Sequence, residues 1–245
     1  MLKGSLILVG SGITFYAHLT LEAKTYIEQA DKVLYLINEP LMQQWIEKYA
    51  RCSKNLDHVY HAYPDRRAAY HAITQTILDE LQDDITVCVV IYGHPCVFSK
   101  PGLDAVRTAK TQGCNTKILP GISAADCLFA DLLIDPGDQG CQMFDASDFL
   151  FNHKTIDGRS HLLLWQIDAI GCDDQSSLKI NAPELKQLTE KLLQHYPQQH
   201  PVTLYEAALY PTFSPIIMPV VLHELPTQPL TRRTTLYVPP NHNKE

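Results

Sequence analysis

Nowhere in these 245 residues does an apolar run reach the roughly eighteen positions needed to cross a bilayer, so no transmembrane segment is expected. The opening Met1-Leu2-Lys3-Gly4-Ser5 lacks the charged region, apolar stretch and small-residue cleavage site of a secretion signal, and a cytoplasmic protein is expected. No dense stripe of Lys and Arg is present, and the net charge is -7, which argues against nucleic acid as a partner. The seven cysteines form no CxxC pair and stand at no zinc-ligand spacing to a histidine, so reduced thiols and no structural metal are expected. A third glycine is also missing. Gly10-Ser11-Gly12 begins like a dinucleotide-binding turn, but Phe15 stands where that fingerprint needs glycine, and Asp31 precedes the second strand instead of ending it.

What is present is an ordinary globular composition, 45% apolar and 19% charged. Ser5–Val9 reads as a buried strand, 19–30 as helix and Lys32–Ile37 as strand. Asp65–Gln82 reads as a long helix, Ile85–Ile91 as the most apolar strand, 103–112 as helix and Thr116–Leu119 as strand. Alternation of this kind predicts a mostly parallel sheet covered on both faces. A second alternating set follows: helix over Ser123–Leu133, strand over His161–Ile167, helix over 184–195, and strands over Val202–Tyr205, 216–222 and Thr234–Val238. The expected architecture is two α/β lobes, 1–118 and 119–245, with the softest segments over 168–182 and from Asn241 onward.

Three places carry candidate chemistry. Tyr92-Gly93-His94-Pro95-Cys96-Val97-Phe98 follows the apolar strand, and ligands of open α/β sheets sit beyond the carboxyl ends of strands. Gly93 lets backbone come close, Pro95 stiffens the loop, His94 can donate a hydrogen bond, and Val97 and Phe98 can cover an apolar ligand surface; a plain β–α turn would use the same residues. In Pro120-Gly121-Ile122-Ser123-Ala124, Ser123 suits a helix N-cap with Asp126 at the capping-box position, which explains it without a ligand. The same entry also leaves backbone N–H groups open to an anion. In Tyr60 to Tyr70, Pro64 precedes a helix on which Arg66, Tyr70, Ile73, Ile77 and Leu81 share one face. Tyr70 has a structural explanation as a core tyrosine. Arg66 is harder to explain so, because a cation in a first helical turn opposes the macrodipole and needs an anionic or carbonyl partner when it faces inward.

These blocks together resemble the tetrapyrrole methylase superfamily, and within it the borosin peptide backbone α-N-methyltransferases. The likeness runs on through Ile134–Gly137, Phe144–Ser147, His161–Gln166, Tyr205–Ala207 and Tyr237–Pro240. The resemblance implies a two-lobed tetrapyrrole-methylase-like α/β fold with a mostly parallel N-terminal sheet and a mixed C-terminal sheet. It implies S-adenosylmethionine as methyl donor, with S-adenosylhomocysteine as product, held between the lobes. Tyr92, Gly93, His94, Pro95, Val97, Phe98, Ser123, Ala124, Gln166, Tyr205, Ala207, Thr234 and Thr235 would bind it. Tyr70 and Arg66 would handle the amide proton, and Tyr60 and Tyr63 would line the acceptor site, one of them donating to the amide oxygen. A homodimer is implied as well. Cys96 stands where the family usually has glycine, and the chain ends shortly after Pro240, which suggests a separate precursor peptide as substrate rather than a fused one. The competing readings keep the donor but change the acceptor to a tetrapyrrole or other small molecule, or keep donor binding without catalysis.

Overall fold

A computed structural model describes residues 4–172 and 182–242. It divides into two compact units, one running to Ala124 and taking in Leu209–Thr212, the other beginning at Ala125. The segments expected to be soft fall largely outside the described residues.

In the first unit the order is β1 (Ser5–Gly10), α1 (Leu21–Gln29), β2 (Lys32–Leu36), α2 (Pro40–Tyr49), β3 (Ser53–Asn55), α3 (Asp57–His61), α4 (Arg66–Asp79), β4 (Thr86–Ile91), α5 (Lys100–Thr111) and β5 (Asn115–Leu119). The strands form one sheet in the order β3-β2-β4-β1-β5, parallel throughout. Successive side chains of a strand point to opposite faces, and both faces here are covered. Leu6 and Leu8 of β1, with Val87 and Val89 of β4, pack on Ile73 and Ile77 of α4 and Ala105 of α5. Ile7 and Val9, with Cys88 and Val90, pack on Ile27 of α1 and Ile46 of α2. That double burial is why β1 is apolar from Leu6 to Val9 and β4 from Val87 to Ile91, and burial raises the Cys88 thiol pKa. α4 ends at Asp79, short of the expected Gln82, and Leu81 of the expected face, two residues beyond that end, is buried all the same.

The sequence reading missed α2, β3 and α3, and it started α5 three residues late, because Pro101 and Gly102 sit inside that helix's first turn.

The second unit follows α6 (Ala124–Leu132) with β6 (Cys141–Asp145), α7 (Ala146–Phe151), β7 (His161–Trp165), α8 (Ala182–Leu192), β8 (Pro201–Glu206), β9 (Ile216–Val221) and β10 (Thr235–Val238). Its sheet runs β6-β7-β10-β8-β9. Only β6 and β7 are parallel, so the sheet is mixed, as expected. Leu162, Leu164, Val202, Leu204 and Leu236 pack on Phe149 of α7 and on Leu185, Leu188 and Leu192 of α8. On the other face Leu163, Tyr205 and Tyr237 pack on Ala125 and Leu128 of α6. One expected boundary is corrected: β7 stops at Trp165, and Gln166 adopts a left-handed conformation (φ 58°) that opens a short 3-10 turn over Ile167–Ala169.

Candidate functional site

In the first unit three loops leave the carboxyl ends of neighbouring strands β4, β1 and β5 and meet through backbone. Gly12 and Gly93 form an antiparallel bridge, Gly12 N–H to Gly93 O at 3.2 Å and Gly93 N–H to Gly12 O at 3.1 Å. Gly93 has φ +72°, which an L side chain takes only at a cost. Gly10 is needed for closeness: a Cβ there would stand 2.2 Å from Gly93 O and 3.2 Å from Gly121 Cα. Glycines from the three loops thus let backbone pack on backbone where a doubly covered parallel sheet takes its ligands.

Past that contact the loop turns outward. Pro95 is buried. The Cys96 N–H donates to His94 Nδ1 at 3.1 Å, so the neutral ring carries its hydrogen on Nε2 and has a donor left. Val97 is half-buried, and Phe98, with φ 52°, is 45% exposed. Cys96 is exposed. Tyr92 lines a small cavity with Ser11, Gly12, Ile13, Phe15, Ile37, Glu39 and Met42. Ser123 is buried immediately before α6, and Ala124 begins that helix.

Glu39 went unnoticed in the sequence. It is an acid beyond β2, 5% exposed, and its carboxylate accepts from Leu41 N–H at 3.0 Å, Met42 N–H at 2.7 Å and the Tyr210 hydroxyl at 2.7 Å. It caps α2 and fastens Leu209–Thr212 to this unit, where Phe15 N–H also donates to Leu209 O at 2.8 Å. Glu39 followed by Pro40 was the available signal, an N-cap acid before proline at N1.

The acceptor candidates lie on α3, α4 and the turn between them. Tyr60 of α3 and Tyr70 of α4 stack with ring centroids 6.2 Å apart and planes inclined by 29°. Asp65 caps α4 by accepting from Ala68 N–H at 2.9 Å. Arg66, half-buried, follows at once and precedes Tyr70 by one turn on the same side. Tyr63 sits in the turn before α4 and is 41% exposed. What holds α3 was not visible in the sequence: Gln43 Nε2 of α2 donates to Ile37 O at 2.6 Å and to Asp57 Oδ2 at 2.7 Å, tying the end of β2 to the first residue of the Tyr60 helix. Burial raises the Asp57 carboxyl above the usual carboxylate range.

On the second unit the candidates converge at the ends of β8 and β10, where Thr235 pairs with Tyr205. Two side chains there are already engaged. The Tyr205 hydroxyl donates to Asp131 Oδ2 at 2.6 Å, and burial followed by that bond raises the phenol pKa. The Thr234 hydroxyl donates to Glu206 Oε1 at 2.8 Å. Ala207 is half-buried, and Thr235 is buried. The Tyr205 and Thr234 hydroxyls are thus committed within the protein. Among the described residues no group of three or more His, Cys, Asp or Glu is placed to hold a metal ion, and no helix is long and apolar enough to cross a membrane.

A sequence profile of the family described as Tetrapyrrole (Corrin/Porphyrin) Methylases matches residues 5–220. The chain belongs to the tetrapyrrole methylase family. Its similar relatives among the tetrapyrrole methylases include a methyltransferase/ribosomally synthesized cyclic peptide gymnopeptides precursor of Gymnopus fusipes, 35% identical over 99% of this chain and 59% of that protein. A methyltransferase/ribosomally synthesized type III borosin cyclic peptide precursor of Anomoporia bombycina is 36% identical over 97% of this chain and 28% of its own length. The chain thus spans about 59% of the Gymnopus relative and less of the Anomoporia one. The uroporphyrin-III C-methyl transferase of Thermus thermophilus, solved in complex with S-adenyl homocysteine, shares the fold with a TM-score of 0.64, at 17% identity, over 96% of this chain and 92% of that one. The borosin resemblance read from the sequence motifs is borne out.

Proposed function

We propose that this tetrapyrrole methylase transfers methyl groups from S-adenosylmethionine to backbone amide nitrogens of a ribosomally made precursor peptide, and that it works as a homodimer. The observation that carries the peptide reading is the likeness, over 97–99% of this chain, to methyltransferases whose names join them to a cyclic peptide precursor. The first unit suits the donor: a free His94 Nε2–H, the exposed Phe98 ring and half-buried Val97, and a backbone approach kept open by glycine. When bound, the sulfonium supplies an activated methyl group and leaves as a thioether.

The rest of the chemistry belongs to side chains. An amide nitrogen is a poor nucleophile until its proton is gone. Tyr70, stacked on Tyr60 and one turn from the Arg66 guanidinium, takes that proton onto its phenolate oxygen. Arg66 favours the anionic form through its charge. Tyr60 donates to the amide oxygen as negative charge builds there, and Tyr63 lines the outer part of the acceptor site.

Tyr70→Phe keeps the ring and the stack and removes the oxygen, so single-turnover methylation of a precursor peptide supplied in trans should fall by at least about a hundredfold, in the range of lost general-base catalysis. A rate within about tenfold of the parent would end this assignment. Mass analysis of products from peptide and from precorrin-type acceptors separates the peptide reading from the tetrapyrrole one. Binding of the donor with turnover of neither acceptor would favour a scaffold. Sedimentation at twice the chain mass tests the dimer.

A further inference from the structure

The end of β8 carries a carboxylate that the proposed chemistry does not use. Glu206, 5% exposed, lies between Tyr205 and Ala207. Its Oε1 accepts from the Thr231 hydroxyl at 2.5 Å and the Thr234 hydroxyl at 2.8 Å, and the Arg233 guanidinium stands 3.3 Å from Oε2. The turn is also closed from within. Thr231 N–H donates to the Thr234 hydroxyl at 2.8 Å, Arg233 N–H to the Thr231 hydroxyl at 3.2 Å, and Thr234 N–H to Thr231 O at 3.0 Å.

The polarity of this network is fixed. An ionised carboxylate only accepts, so each threonine hydroxyl must donate to Glu206, and each is then free to accept from the backbone N–H it meets. A single buried acceptor thereby sets the direction of both hydroxyls and the shape of the turn. Burying a carboxylate is a poor route to stability, since desolvation offsets much of what the partners return. Geometry is what such a group can supply, and the geometry it supplies here belongs to the segment that leads into β10 beside the end of β8. Thr235 is in register with Tyr205, so a turn displaced at 231–234 carries Thr234 and Thr235 with it relative to Ala207.

We propose that Glu206 is a positioning residue for the methyl donor: by gripping Thr231, Thr234 and Arg233 it holds the Thr234–Thr235 backbone against that of Ala207 at the spacing the donor requires. This rests on the reading above that Ala207, Thr234 and Thr235 contact the donor. The engagement of the Tyr205 and Thr234 hydroxyls supports it, because residues that meet a ligand through backbone need another group to fix where that backbone lies.

The test measures equilibrium binding of S-adenosylhomocysteine to the full chain, with KM and kcat for donor and peptide alongside. Glu206→Gln places an amide N–H₂ or a neutral oxygen beside Arg233. Thr231→Val removes one donor at an exposed position, and Thr231→Ser restores it. Glu206→Gln and Thr231→Val should each weaken donor binding by about tenfold and raise the donor KM to match, with kcat at saturating donor and the peptide KM within about twofold; Thr231→Ser should recover the parent affinity. A purely structural role would lower the melting temperature without this donor-specific split. If Ala207→Trp abolishes donor binding while folded Thr231→Val and Glu206→Gln stay within about twofold of the parent, the proposal is wrong and the donor reading stands. If Ala207→Trp also leaves binding unchanged, the donor reading fails and the proposal falls with it.

Discussion

Gly10 and Gly93 offer a comparison in which the less conspicuous glycine should matter more. An alanine methyl at Gly10 would stand 2.2 Å from Gly93 O, 2.8 Å from Pro95 Cδ and 3.2 Å from Gly121 Cα. None of these is the tip of a flexible side chain, so the Gly93 carbonyl must retreat by about an ångström to reach ordinary contact distance. That carbonyl is half of the Gly12–Gly93 bridge, whose bonds measure 3.2 and 3.1 Å. Losing both costs roughly 2 kcal/mol at about 1 kcal/mol net each, and the overpacking adds about 1–3 kcal/mol. Gly10→Ala should therefore destabilise the first unit by about 3–5 kcal/mol, a large part of a typical stability of about 5–15 kcal/mol. At Gly93 the added methyl meets only Ile13 Cδ1, at 3.3 Å, and that side chain can give way. The remaining cost of Gly93→Ala is the left-handed backbone, about 1–2 kcal/mol. Urea unfolding followed by circular dichroism, with m-values compared so that only midpoint shifts are read as stability, measures both. S-adenosylhomocysteine binding should weaken in the same order. If Gly93→Ala proves the more damaging, or Gly10→Ala costs less than about 1 kcal/mol, the three-loop contact does not hold this end of the sheet together.

Two further predictions concern charge. Glu80 accepts from Lys32 and, at 2.8 Å, from Lys54, and these bonds, Lys32 first, hold its carboxyl below the ordinary range. Glu80→Gln should cost about 1–2 kcal/mol at neutral pH. A depressed native value contributes stability above the unfolded pKa of about 4.3 and loses it as pH falls through the native value, so melting curves of parent and variant should converge as pH falls below that native value; a gap that persists at the acid end would refute the ion-pair account. Asp57 has the opposite sign, its carboxyl raised mainly by burial. Its ionisation opposes folding above the raised value and has no effect below the unfolded value of about 3.9, so Asp57→Asn should raise the melting temperature at pH 7 and lose the gain below about pH 4. A gain that does not change with pH would instead point to packing.

Apolar blocks with both faces covered were legible in the sequence. β1 and β4 read as buried strands because the covered positions must be apolar when helices lie on both sides. α4 was legible from Ile73, Ile77 and Leu81 on one face, with proline ahead of its start. β3 was not, since it is three polar residues, Ser-Lys-Asn, on the sheet edge, too short for any period to register. α2 carried a signal that went unread: Leu41, Met42, Trp45, Ile46 and Tyr49 fall on one helical face, of which Met42 and Ile46 are buried. β6 has no fully buried residue, and its sequence does not alternate as a half-buried strand would.

The candidate site divides along the same physical line. The Gly93–His94–Pro95 loop was legible because glycine and proline mark a strand end locally, and the Arg66–Tyr70 pair because helical spacing is local too. Glu39, Gln43, Asp57 and Glu206 were not, because each owes its role to partners the chain brings from elsewhere: Tyr210 reaches Glu39 across 171 positions, and Thr234 reaches Glu206 across 28. An acid read in isolation is a solvated acid, and only its neighbours turn it into a clamp. The same reasoning changes what a motif match means at Tyr205 and Thr234. Their hydroxyls are engaged by Asp131 and Glu206, so under the proposed donor reading they would serve a ligand through where they hold the main chain. Substitutions that keep the backbone in place should be tolerated at these two positions, and substitutions at the carboxylate partner Glu206 should not.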